Sequence, residues 1–119
     1  MKNRYLTWAT KFFESWKNLE GVKTTELLSE DVEYYETALG EPCRMFEEVI
    51  ELWRVVPSNQ ANIAYTFNIV AYNEDRCVIN WKMSRTLNGE IEQKIDGIIV
   101  FSLDSENKCS YFKQWRYTE

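Results

Sequence analysis

From Cys77 to Leu103 the chain reads CVINWKMSRTLNGEIEQKIDGIIVFSL, and this stretch determines the architecture. β-Branched and aromatic residues crowd both sides of Asn88-Gly89. Asn-Gly between two such runs is a strong hairpin signal, because both central positions of the tightest hairpin turns need positive φ. Two strands are expected, Cys77–Leu87 and Ile91–Leu103. Asp96-Gly97 offers a second turn inside the later run. A turn there would leave only Glu90 to Ile95 as a strand between two hairpins, so an unbroken strand is preferred. Gly97 then marks a bulge that curves the sheet.

Outward from this hairpin, Ile63–Tyr72 and Cys109–Tyr117 have the same strand character. Polar turns at Asn73-Glu74-Asp75 and Ser105-Glu106-Asn107 join the four runs into an antiparallel meander. Before residue 60 the period changes. Tyr5, Trp8, Ala9, Phe12, Phe13, Trp16 and Leu19 recur at three- and four-residue spacing, and Gly21 stands where a helix ends. A short second helix is expected around Thr25 to Ser29, with Leu27 and Leu28 buried, and a short strand from Val32 to Thr37. A third helix spans Cys43 to Arg54, with Ile50 among its inward residues, Pro42 in its first turn and Pro57 beyond its end. The whole is α+β, with helices covering one face of a curved sheet.

The 119 residues suit one domain, 1–119. The net charge of −5 works against nucleic acid or an anionic membrane as a partner, since both need a basic footprint. The chain has no His, which excludes a His-based triad, an imidazole acid or base, and His–carboxylate metal sites. Cys43, Cys77 and Cys109 form no C-x-x-C pair and read as small buried hydrophobes. No run approaches a membrane span and the first residues carry no apolar signal core, so a soluble cytoplasmic protein is expected. There is no phosphate loop and no nucleophile elbow, and no metal or cofactor is expected.

Proton chemistry therefore falls to carboxylates, Tyr, Lys, Cys or water. In the short strand, Val32, Tyr34 and Glu36 share one face, which begins apolar and ends in a carboxylate. If that face points to the helices, Glu36 enters an apolar site, where its pKa rises and it can act as acid or base; otherwise it is a solvated acid at a strand end. Asp96 lies among Ile95, Ile98, Ile99 and Val100, a stretch apolar on both faces and hence expected to be covered on both. It is either a second inward carboxylate or a structural hydrogen-bond acceptor beside Gly97. Arg85 and Arg116 sit near strand ends, where each either pairs with a buried acid or faces solvent. Trp8, Phe12, Trp16, Trp53, Trp81 and Trp115 suffice to line a cavity for a small hydrophobic ligand, or simply fill the core.

Several strings resemble the nuclear transport factor 2-like superfamily, in particular its SnoaL-like branch. They include Trp8-x-x-x-Phe12-Phe13-x-x-Trp16, Leu27-Leu28-Ser29-Glu30-Asp31-Val32-Glu33-Tyr34 and Gly40-Glu41-Pro42. Ile95-Asp96-Gly97-Ile98-Ile99-Val100-Phe101 with Lys108-Cys109-Ser110-Tyr111-Phe112-Lys113-Gln114-Trp115 is similar to the sheet ending of a bacterial subgroup without settled activity. The resemblance covers essentially the whole chain. It implies a cone: a strongly curved antiparallel sheet wrapped over about three N-terminal helices, with a pocket open at one end and commonly a homodimer through the outer face of the sheet. The superfamily holds isomerases, cyclases, dehydratases and non-catalytic binding modules, so the fold alone does not decide function.

Aligned with ketosteroid isomerase through Glu41-Pro42, the catalytic base falls on Glu36 and the oxyanion-hole acid on Asp96. The oxyanion-hole tyrosine falls on Phe12, which has no hydroxyl, so steroid isomerisation is not implied. By the same register Trp81, Met83, Phe112 and Arg116 point into the cavity. The expected site is thus Glu36 and Asp96 as catalytic carboxylates, with Trp8, Phe12, Tyr34, Trp53, Trp81, Met83, Phe112 and Arg116 around a small apolar or aromatic metabolite. The expected chemistry is cofactor-free proton transfer beside a carbonyl, in isomerisation, cyclisation or dehydration. The alternative is a non-catalytic ligand-binding or dimerising module, with Tyr65, Phe67, Tyr111 and Trp115 as an aromatic patch for self-association.

Overall fold

A computed structural model describes residues 2–36 and 46–119. The elements are α1 (Lys2–Lys17), α2 (Gly21–Thr25), β1 (Leu28–Tyr35), α3 (Phe46–Arg54), α4 (Val56–Asn59), β2 (Gln60–Tyr72), β3 (Cys77–Leu87), β4 (Ile91–Leu103) and β5 (Cys109–Thr118). The five strands form one curved, unclosed sheet in the order β1-β5-β4-β3-β2. β2 to β5 are the antiparallel meander, and β1 joins it parallel to β5. Asn88 and Gly89 turn the β3–β4 hairpin with φ of 52° and 75°, the positive values the Asn-Gly pair predicts.

The helices cover one face. β3 turns Cys77, Ile79, Trp81, Met83 and Arg85 toward them, and β4 turns Ile95, Gly97, Ile99 and Phe101. α1 answers with a stripe of rings. Trp8 stacks on Phe101 at 4.6 Å, Phe12 meets Phe112 at 5.4 Å, Phe13 stacks on Phe67 at 5.2 Å, and Trp16 leans on Trp81 at 5.5 Å. Burying such rings is the main favourable term, at roughly 25 cal/mol per Å² of apolar surface.

Several expectations are corrected. α1 ends at Lys17, and its left-handed cap residue is Leu19, not Gly21. Leu19 takes the left-handed conformation (φ 59°), and the bonds Leu19 N to Trp16 O and Glu20 N to Ser15 O close the last turn. Gly21 instead opens α2, where a side chain would run into the main-chain carbonyl of Trp53. The second helix is therefore Gly21–Thr25, and Leu28 already belongs to β1. Pro57 does lie beyond the end of α3, within the one-turn α4. In α3, Val49 and Trp53 are buried while Ile50 faces outward; Cys43 to Met45, Pro42 and Thr37 lie outside the described residues. β4 is unbroken and its pairing shows no bulge at Gly97. The glycine is needed because the Trp81 indole lies directly over it. No helix among the described residues is long and apolar enough to cross a membrane.

Candidate ligand cavity at the mouth of the cone

Alternation along β1 buries Val32 and Tyr34 and carries Glu36, one residue past the strand, to the same side. There it meets the ends of β3 and β5. Phe112, Gln114 and Arg116 follow one another on the inner side of β5, so Arg116 arrives beside Glu36, with Nη2 3.7 Å from Oε1. Gln114, 4% exposed, donates from Nε2 to the Glu36 carbonyl at 2.8 Å. Arg85, 9% exposed at the end of the inner row of β3, donates from Nε to Gln93 Oε1 at 3.0 Å.

These groups rim a cavity of about 220 Å³, whose walls include Phe12, Trp16, Tyr34, Leu52, Trp53 and Val56. The walls are held by hydrogen bonds as well as by packing. Trp53 Nε1 donates to the Tyr34 hydroxyl at 3.2 Å, and Trp16 Nε1 to Gln60 Oε1 at 2.8 Å. Tyr34 stacks flat on Phe112 at 4.6 Å. Asn59, also on the wall, has a buried Oδ1 with no hydrogen-bond partner among the described residues.

Glu36, Arg85 and Arg116 are the charged residues of this lining. Burial pushes the Glu36 carboxyl above its ordinary 4.5, against the opposing pull of Arg116 and then Arg85. The Glu36 side chain lines the cavity and keeps 39% of its surface accessible. Burial lowers the pKa of Arg85, the charge of Arg116 lowers it further, and Glu36 pulls it back up. A guanidinium starts so high that Arg85 stays a cation.

Of the residues expected at the site, Glu36, Phe12, Tyr34, Trp53 and Arg116 line this cavity. Trp8, Trp81 and Phe112 do not. Trp8 is stacked between Phe12 and Phe101 and donates to the Leu27 carbonyl at 3.0 Å. Trp81 is fully buried and Phe112 lies beneath Tyr34, so both support the walls from behind. Met83 is buried and borders a separate surface groove of about 420 Å³, together with Asp96 and Lys82.

Asp96 is the principal correction. It is exposed on the outer face, opposite Lys82 and Tyr117 in the ladder, and accepts a 2.9 Å hydrogen bond from Asn80 Nδ2. Its two apolar outer neighbours, Ile98 and Val100, are only partly buried, so the outer face is not covered by a second layer. Glu36 and Asp96 therefore do not form a pair. Tyr65 and Phe67 also turn inward, stacking on Phe13 at 5.3 and 5.2 Å, which removes them from the outer patch. Gln114 and Asn59 were not expected at the site. Period-two spacing from Phe112 to Arg116 was a usable signal for Gln114.

The curved sheet, the helices on its inner side and the recess at one end are the nuclear transport factor 2-like cone. Solved structures with this fold superpose on nearly the whole chain. SalBIII, an epoxide hydrolase/cyclase-like enzyme with a role in pyran ring formation in the polyether salinomycin, matches with a TM-score of 0.83 at 12% identity, covering 98% of this chain and 92% of that one. A conserved protein from Planctomyces limnophilus gives 0.76 at 13% identity, over 99% and 97%. A LEH-like epoxide hydrolase of M. tuberculosis gives 0.77 at 12%, over 97% and 84%. No family model matches the sequence, and no curated protein matches it.

Proposed function

We propose that this protein binds a compact, largely apolar or aromatic metabolite at the mouth of the cone and catalyses cofactor-free proton transfer next to a carbonyl. The observation that carries this reading is the Glu36 carboxylate, partly desolvated in an aromatic-walled cavity and 3.7 Å from Arg116. Glu36 takes a proton from the carbon beside the carbonyl, and the C–H electron pair becomes the enolate. The guanidinium of Arg116 stabilises the negative charge that develops on the oxygen. Protonated Glu36 then returns the proton to another carbon in isomerisation, or to a departing hydroxyl in dehydration. At about 220 Å³ the cavity is below the roughly 300–1,000 Å³ of sites for drug-sized ligands, which favours a small substrate. The cyclase-like enzyme among the structural neighbours is consistent with a carbon skeleton closed or isomerised in such a space.

The test is exchange of α-protons from a panel of small cyclic ketones in deuterated water, followed by proton NMR. The wild-type protein should accelerate loss of the α-proton signal for at least one ketone. Glu36→Gln should cut that acceleration by about 10²-fold or more, the usual contribution of a general base. Exchange that no ketone shows, or that survives in Glu36→Gln, removes the reading. The other reading is a dimerising binding module. It is favoured by the outer face, where Trp115 and Tyr117 are exposed and Ile98 stands opposite Trp115 in the ladder.

A further inference from the structure

The charges of the cavity do not balance. Two guanidinium groups face one carboxylate, and no other charged side chain belongs to the lining among the described residues. A cation held in a low-dielectric recess is costly unless it is paired. Arg116 has Glu36 at 3.7 Å. Arg85 is nine-tenths buried, its Nε is used on Gln93, and neither terminal nitrogen has a partner among the described residues. Gln93 is neutral, so it orients the guanidinium without neutralising it. Its side chain fixes one edge of the Arg85 fork and leaves the other for a ligand. Asn59 Oδ1, buried and without a donor among the described residues, adds a neutral acceptor on the same wall.

We infer that the ligand is a small organic acid, whose carboxylate pairs with Arg85 and shares Arg116 with Glu36, while its apolar body packs against Trp53, Phe12 and Tyr34. A planar carboxylate matches the guanidinium edge with two parallel hydrogen bonds, which a neutral carbonyl cannot reproduce. This deepens the proposed function by naming the substrate class. It rests on the cavity being the ligand site and does not require Glu36 to act as a base.

The test compares benzoate with benzamide, which share ring and size but differ in charge. Binding is followed through the indole N–H signals of Trp16 and Trp53 in proton–nitrogen NMR. Benzoate should bind at least about tenfold more tightly than benzamide, a difference of about 1.4 kcal/mol. Arg116→Gln should weaken benzoate and leave benzamide unchanged, and Arg85→Gln should do so more strongly. Glu36→Gln should tighten benzoate several-fold, because it removes the competing carboxylate. Should Arg85→Gln fail to fold, Arg116→Gln and the wild-type ligand pair still decide the matter.

Equal affinity for acid and amide, or no binding of benzoate in the millimolar range, overturns the inference. Selective benzoate binding without Glu36-dependent proton exchange leaves the acid site standing and removes the catalytic reading. Glu36-dependent exchange on neutral ketones without preference for the acid does the reverse.

Discussion

Gln114 Nε2 donates to the main-chain carbonyl of Glu36 at 2.8 Å. The last paired residues of β1 and β5 are Tyr35 and Lys113, so this side-chain bond extends the grip of β5 one residue past the ladder. It is what aims the Glu36 carboxylate into the cavity instead of letting the strand end fray into solvent. Gln114→Leu keeps the volume but leaves the carbonyl without its donor, at a cost of roughly 1–3 kcal/mol. Glu36 should then titrate closer to its ordinary 4.5, because the desolvation that raises it is lost. Carbon-detected NMR titration of the carboxyl groups, with urea denaturation for stability, checks both outcomes. An unchanged Glu36 titration in this variant would mean that the side chain is held by other groups.

The raised pKa of Glu36 also fixes the sign of a pH effect on stability. Folded Glu36 releases its proton at higher pH than the unfolded chain, whose carboxyl titrates near 4.5. Between those two values the folded state holds the extra proton, so stability falls as pH rises through the window. Below 4.5 the contribution is fully present, and above the folded pKa it is gone. Glu36→Gln removes this slope. Its stability relative to the wild type should therefore increase from pH 4.5 to mildly alkaline buffer, by no more than about 1 kcal/mol given the 39% accessibility of the side chain. Urea melts at both ends of the window would show it. A difference that stays constant or shrinks with rising pH contradicts the raised pKa.

These two residues illustrate what the sequence made legible. Alternation puts Glu36 on one face with Val32 and Tyr34, while the direction that face takes depends on the packing of β1 and is open in the sequence. β3 and β4 have the expected bounds, since Asn88-Gly89 sets the hairpin register and leaves little freedom beyond it. Asp96 was misread because Ile98 and Val100 made the outer face look covered, while apolar residues are common on exposed sheet faces. A glycine inside a strand signals a bulge or a close approach alike, and at Gly97 the approaching group, Trp81, is distant in sequence. Arg85 stayed ambiguous for the same reason. Whether a strand-end arginine faces solvent depends on what the neighbouring strands bring opposite it. Leu27-Leu28 reads as helix in the sequence, and it is pairing with β5, with Leu28 opposite Cys109, that makes Leu28 strand instead.

The outer face of the sheet carries a separate prediction. With Tyr65 and Phe67 turned under α1, its exposed aromatic residues are Trp115, 42% accessible, and Tyr117, 68% accessible, beside Ile98. Lys113 Nζ sits 5.2 Å from the Trp115 ring centre and leaves the rest of that ring to a partner. If this face joins two copies, sedimentation at micromolar concentration should give a dimer, and Trp115→Glu should give a monomer. The variant should leave the titration of Glu36 unchanged, because Trp115 and the cavity lie on opposite sides of β5. A monomeric wild type at that concentration ends the interface proposal without touching the cavity.

Trp81 and Gly97 provide the sharpest test of the core. A Cβ on Gly97 would lie 2.7 Å from Cε2 and Nε1 of the Trp81 indole and 2.9 Å from the Trp115 carbonyl oxygen. Neither neighbour has room to yield. Trp81 is fully buried, with Phe13 and Trp16 at 5.8 and 5.5 Å, and Trp115 lies in the β4–β5 ladder. Gly97→Ala should therefore cost about 1–3 kcal/mol, as overpacking of a filled core does. It should also change the near-ultraviolet circular dichroism of the tryptophans. Gly89→Ala is the control. Nothing lies within 4 Å of a Cβ there, so any loss comes from the positive φ of 75° alone and leaves the tryptophan signal intact. Trp81→Phe shortens the ring over Gly97, and since Trp81 Nε1 has no partner among the described residues, no hydrogen bond is lost with it. In the double variant the two losses should sum to less than their separate values, the signature of residues in direct contact. Strict additivity would place the strain of Gly97→Ala on the Trp115 carbonyl instead.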